Sequence, residues 1–79
     1  MWAAEVASCP SDRQLEVLAA LVHHAGGAKV AAHCLGITAR TVKAHLAGAR
    51  ARTGSETTVQ LVAWCDDNVP RWRERRPAA

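Results

Sequence analysis

Seventy-nine residues with a net charge of +3 make one small domain, able to bury roughly 60% of its unfolded surface and without room for a separate sensor or catalytic module. Alanine dominates an apolar fraction that contains no Phe or Tyr; alanine is the strongest helix former, so the expected class is all-α. Three cysteines, an odd number with no C-x-x-C spacing, argue against a disulfide framework, and no apolar run of about eighteen residues offers a membrane span, so the chain reads as cytoplasmic and reduced.

Residues 1–10 form a lead that ends at Pro10, with a helical turn expected around residues 3–7. Ser11-Asp12-Arg13-Gln14 has the spacing of a capping box, in which the Ser11 hydroxyl and the Gln14 side chain each satisfy the other's backbone amide. Leu15, Leu18, Leu21 and Val22 follow at helical spacing, which predicts a first helix over about 12–24, stopped by Gly26-Gly27. A short second helix is expected over about 28–35, with Ala31, Ala32 and Leu35 as its apolar side. Gly36 stands where a helix end favours positive φ. Ile37 plugs the turn, and Thr38 can cap the next helix.

The third helix is expected over about 39–53. Placed at about 100° per residue, Val42, Leu46, Ala49 and Thr53 fall on the core side. The opposite side carries Arg40, Ala44, Ala47 and Ala51. Lys43 and Arg50 flank it on one edge; Thr41, His45 and Arg52 flank it on the other. Gly54 ends the helix. Ser55 and Thr57 offer caps for a fourth helix over about 57–68, where Val59, Leu61, Val62, Trp64 and Cys65 are apolar. Pro70 closes the domain at 11–69, and residues 70–79 read as a basic, flexible tail. The expected architecture is thus a small four-helix domain, a tri-helical core plus a fourth helix.

Charge is segregated. Lys29, Arg40, Lys43, Arg50 and Arg52 lie between residues 29 and 54 with no acid among them, and Arg71, Arg73, Arg75 and Arg76 make a second cluster relieved by Glu74. Such a pattern suits a polyanion, although a solvated helix face also explains a single basic cluster. A helix, a glycine-centred turn and a second helix with a basic outer face form a helix-turn-helix arrangement. The bend pushes the third helix outward, toward a major groove that admits one α-helix. Alanines on its outer side let the backbone approach the bases.

The stretch LGITARTVKAHL resembles the turn and recognition helix of the LuxR/GerE-type DNA-binding domain, whose pattern reads about Leu-Gly-Ile-Ser-x-x-Thr-Val-Lys-x-His-Leu. RQLEVL, from Arg13 to Leu18, is similar to that family's opening of the first helix, with Gln14 where the family usually has Glu. TTVQLV, after Gly54, resembles the junction into its fourth helix. The resemblance covers about residues 11–66. It implies a stand-alone transcriptional regulator that binds double-stranded DNA sequence-specifically. Lys43, Ala44 and Ala47 would face bases; Thr38, Thr41, His45 and Arg50 would lie near phosphates or groove edges. Arg40 joins them from its place on the outer side. The same resemblance implies a dimer contact through the fourth helix, and that helix is apolar on more than one side through Val59, Leu61, Val62 and Trp64, so a homodimer is expected there. Arg50 stands where the family is often apolar, and Ala49, Thr53 and Ser55 replace larger residues, so a lean core is expected.

The competing readings are a sigma region 4-like DNA reader and a protein–protein adaptor that binds RNA polymerase or another regulator. An adaptor would not need the groove-facing set on the third helix. No catalytic, metal or cofactor site is expected. His33 and Cys34 are adjacent on a helix and face different ways, Gly26-Gly27 lacks the Lys-Ser/Thr of a phosphate loop, and Cys34 and Cys65 read as small core residues. Trp64 reads as packing, while Trp72 among arginines is open to disorder, folding on binding or contact with DNA.

Overall fold

The computed structural model describes residues 8–24 and 26–75. Within them the chain is helical and without strands: α1 (Asp12–His23), α2 (Ala28–Leu35), α3 (Ala39–Thr53), α4 (Thr58–Asn68) and α5 (Pro70–Arg75). The turn expected at residues 3–7 and the end of the basic tail from Arg76 lie outside the described residues.

Each long helix starts where a side chain meets its free amides. The Ser11 hydroxyl accepts from the Gln14 amide at 3.1 Å while Gln14 Oε1 accepts from the Ser11 amide at 2.9 Å, completing the capping box. Thr38 and Thr57 cap α3 and α4 by accepting from the Thr41 and Gln60 amides, each at 3.1 Å. A cap of this kind is worth about 1 kcal/mol.

The bend between α2 and α3 rests on Gly36, whose φ of 71° and ψ of 31° are left-handed. The Ile37 amide donates to the Ala32 carbonyl at 3.0 Å and the Gly36 amide to the His33 carbonyl at 3.3 Å. These two bonds are a Schellman closure. Any residue with a Cβ would be strained at Gly36. Ile37 is half-buried against the core rather than enclosed in it, and so is Leu35. Both sit at the rim, because the turn that holds them is itself at the surface.

Helices α1, α2 and α3 pack mutually, α4 lies on α3, and α5 contacts both α4 and α1. Leu15, Val17 and Leu18 from α1, Ala32 from α2, Val42, Leu46 and Ala49 from α3, and Leu61 and Cys65 from α4 share one core. Val69 and Trp72 complete it. The Thr53 hydroxyl, buried at the end of α3, donates back to the Ala49 carbonyl at 3.1 Å.

The basic tail is the main departure from the sequence-based expectation. Pro70 opens a helix instead of closing the domain, since proline suits the first helical position. Trp72 is fully buried and is the largest enclosed side chain among the described residues. Its indole Nε1 donates to Asp66 Oδ1 at 2.8 Å. Arg71 reaches Asp12 at the start of α1, 3.3 Å away. Residues 70–75 therefore belong to the domain, which has five helices among the described residues.

Cys34 also departs from expectation. It is exposed, because α2 turns Ala31 and Ala32 inward and leaves Cys34 on its flank. Cys65 is buried as expected, and burial pushes its thiol up to about 11, helped by the charge of Asp66 and by Cys9. None of the described helices is long and apolar enough to cross a membrane.

Candidate nucleic-acid interface

The outer face of α3 follows from its periodicity. Val42, Leu46, Ala49 and Thr53 are buried, which leaves Arg40, Lys43, Ala44, Ala47 and Ala51 exposed on the opposite side. From Arg40 to Ala51 this face runs about 17 Å at a rise of 1.5 Å per residue. Arg50 is half-buried at one edge, and Thr41 and His45 are half-buried at the other. Of the residues singled out from sequence, Arg40, Lys43, Ala44 and Ala47 thus share the outer face, Thr41 and His45 flank it on one edge and Arg50 on the other, and Thr38 caps the helix before it.

The face is basic and free of acids. Among the described residues the ion pairs are Arg13 with Glu16 at 2.6 Å and Arg71 with Asp12 at 3.3 Å. Both lie off α3. Arg40, Lys43 and Arg50 have no carboxylate partner among the described residues, so their charge is directed to solvent. Cations without internal partners, set around small side chains, leave a surface open to an anion.

The start of α3 adds hydroxyls. Thr38 Oγ1 and Thr41 Oγ1 lie 2.9 Å apart, and either can donate to the other. Two hydroxyls carry two hydrogens and their mutual bond uses one, so the pair keeps one O–H for an outside acceptor.

Two contacts escape sequence reasoning. A Cβ built on Gly48 would lie 2.8 Å from Gln14 Nε2, so the Gln14 side chain reaches across from α1 to lie against α3 at that glycine. A larger residue there would displace either the amide or the helix. The guanidinium of Arg52 donates to the Cys9 carbonyl at 3.3 Å, and the Ser8 amide donates to the Arg52 carbonyl at 2.9 Å. The lead before α1 is thereby tied to the end of α3. The only sequence signal for the first contact was a glycine inside a helical run, which warrants a packing reason. Nothing in the local pattern signalled the second.

Elsewhere an open apolar groove of about 350 Å³ is lined by Leu21 and Val22 of α1 and by Thr58, Val59 and Val62 of α4. Val59 is 79% exposed, whereas Leu61 is fully buried. Leu61 therefore faces the protomer's own core and is withdrawn from the dimer surface expected on α4. Val62 and Trp64 are half-buried against the core.

Among the described residues no three His, Cys, Asp or Glu side chains come together as metal ligands. Comparison with known proteins finds no matching family model, no matching curated protein and no matching solved structure.

Proposed function

We propose that this chain is a LuxR/GerE-type helix-turn-helix regulator that reads double-stranded DNA by inserting α3 into the major groove. The observation that carries the reading is the outer face of α3: three cations without a carboxylate partner among the described residues, around a strip of alanines, on a helix that follows a tight glycine turn. A helix of this kind matches a groove about 12 Å wide. Lys43 is placed to donate to guanine O6 and N7, and an alanine methyl at 44 or 47 to meet a thymine methyl. Arg40, Arg50, His45 and the Thr38–Thr41 pair serve phosphates on either side.

The dimer proposed with it uses Val59 and Val62, with Trp64 beside them, and adds Val22 at the rim of the apolar groove. Two such domains would sit on inverted half-sites about one helical turn apart.

Selection from a random duplex pool, followed by titration, tests the reading. If four to six phosphates are neutralised, log K is expected to fall against log salt with a slope of about −4 to −5. Lys43→Ala is expected to cost about 1–3 kcal/mol on the selected site and to relax preference at one base pair. Wild-type protein that binds no duplex, or a Lys43→Ala variant with unchanged affinity and preference, would overturn α3 as the reading helix.

A further inference from the structure

We infer that the side-chain amide of Gln14, together with Arg52 one helical turn beyond Gly48, forms a phosphate-binding edge on the α1 flank of α3. This rests on the reading of α3 as a groove helix and adds a contact from a different helix.

The capping box fixes which way the amide points. Gln14 Oε1 accepts from the Ser11 amide at 2.9 Å, so Nε2 is turned away from the α1 terminus. It is turned toward α3, over Gly48, where a Cβ would come within 2.8 Å of it. An amide nitrogen carries two N–H donors. Neither meets an acceptor among the described residues, and no buried side-chain nitrogen or oxygen there lacks a partner. Gln14 is half-buried, so its Nε2 keeps a solvent-facing edge while the carbonyl end of the same side chain is held.

Arg52 lies one helical turn beyond Gly48 on the same flank. Its guanidinium uses one donor on the Cys9 carbonyl, two residues before the Ser11 cap. A guanidinium has five N–H donors, so most of them stay available. The carboxylates on the first two turns of α1 are both engaged, Glu16 by Arg13 and Asp12 by Arg71. This edge thus presents amide and guanidinium donors next to a helix N-terminus, a combination that favours an anion. A helix lying in a major groove has a phosphodiester strand along each side. The Gln14–Arg52 edge would meet one strand, while Lys43 and Arg50 lie toward the other.

The identity of the residue matters. A glutamate at this position would complete the same capping box, yet it would offer no donor and would bring a negative charge toward the phosphates.

Three variants test the proposal on the full chain, on both the selected and a scrambled duplex, at a temperature where melting shows each to be folded. Gln14→Met and Gln14→Lys both remove the acceptor of the capping box, so they share any structural cost. Gln14→Met also removes the donors and is expected to bind both duplexes about tenfold more weakly. Its base preference and salt slope stay unchanged, because no cation is lost. Gln14→Lys restores a donor with charge and is expected to recover or exceed wild-type affinity, with a salt slope steeper by about one. Gln14→Glu keeps the cap and is expected to lose more affinity than Gln14→Met.

Equal losses in Gln14→Met and Gln14→Lys would overturn the phosphate contact and leave capping as the whole role of Gln14. A Gln14→Met variant within twofold of wild type would overturn it as well. In both cases wild-type duplex binding and the Lys43 effect would still stand. Failure of wild-type protein to bind any duplex would instead remove the groove reading, and this proposal with it.

Discussion

Trp72→Ala is expected to unfold a large fraction of the protein near physiological temperature. Trp72 is fully enclosed and is the largest such side chain in the domain, and aromatic-to-alanine truncations in cores cost about 3–5 kcal/mol. A chain of this size has about 4–12 kcal/mol of stability in total. The loss also leaves Asp66 Oδ1 without the indole donor that it accepts from at 2.8 Å. Helix α5 is six residues long, too short to persist without tertiary support. The Arg71–Asp12 pair also ties α5 to α1, but an exposed ion pair holds little. At about 4–8 °C per kcal/mol for a domain of this size, the melting temperature should fall by at least about 12 °C. Trp72→Phe keeps most of the packing and loses the hydrogen bond, so its drop should be clearly smaller. Trp64, half-buried, provides the comparison: Trp64→Ala should cost less than Trp72→Ala. Thermal melts followed by circular dichroism order the three, and a Trp72→Ala melt within a few degrees of wild type would show that α5 does not hold the fold.

That expectation also marks where sequence reading stopped. α1 to α4 were legible because each announces itself twice, by a cap and by a stripe. Ser11 with Gln14, Thr38 and Thr57 sit at the starts of α1, α3 and α4, Gly36 and Gly54 at the ends of α2 and α3, and the apolar residues between recur at helical spacing. α5 has neither a cap residue nor a stripe. It carries one apolar residue besides its leading proline, and four of its six residues are charged, PRWRER, so periodicity has nothing to detect. Its signal was a lone tryptophan after a proline, whose burial depends on core residues of α1, α3 and α4 being brought together from elsewhere. Val17 was missed for a related reason. It is not a member of the stripe of Leu15, Leu18, Leu21 and Val22, yet it is fully buried because α1 is covered by α2, α3 and α5 rather than by one neighbour. Val22, on the stripe, is 39% exposed. The outer face of α3 was legible in full, since one core-facing row fixes the opposite row. The contact of Gln14 with Gly48 was not, because no single helix encodes where a side chain lands on its neighbour.

Ala47→Glu is expected to remove most duplex binding while leaving the fold intact. Ala47 is exposed at the middle of α3, between Lys43 one turn before and Arg50 and Ala51 one turn after. Glutamate is a good helix former, so the intrinsic cost in α3 is a fraction of a kcal/mol. Lys43 at i−4 and Arg50 at i+3 can each pair with the new carboxylate in the free protein, which offsets that cost. The melting temperature should therefore stay within a few degrees of wild type. On DNA the same features act in reverse. A methyl becomes a longer side chain where the backbone is proposed to come closest to the bases, so the helix must lift or tilt. The carboxylate enters a field of phosphates, and it engages the cations that would otherwise meet them. Loss of one forked base contact with one or two phosphate contacts amounts to about 3–5 kcal/mol, a weakening on the order of 100-fold or more. Non-specific binding should fall with it, because the charge change acts on every duplex. Ala44→Ser, by contrast, adds little bulk and no charge, so its effect on affinity should be small. Titrating both variants against the selected duplex and a scrambled one, next to their thermal melts, decides the matter. An Ala47→Glu variant that is folded and binds within threefold of wild type would show that the outer face of α3 does not meet DNA.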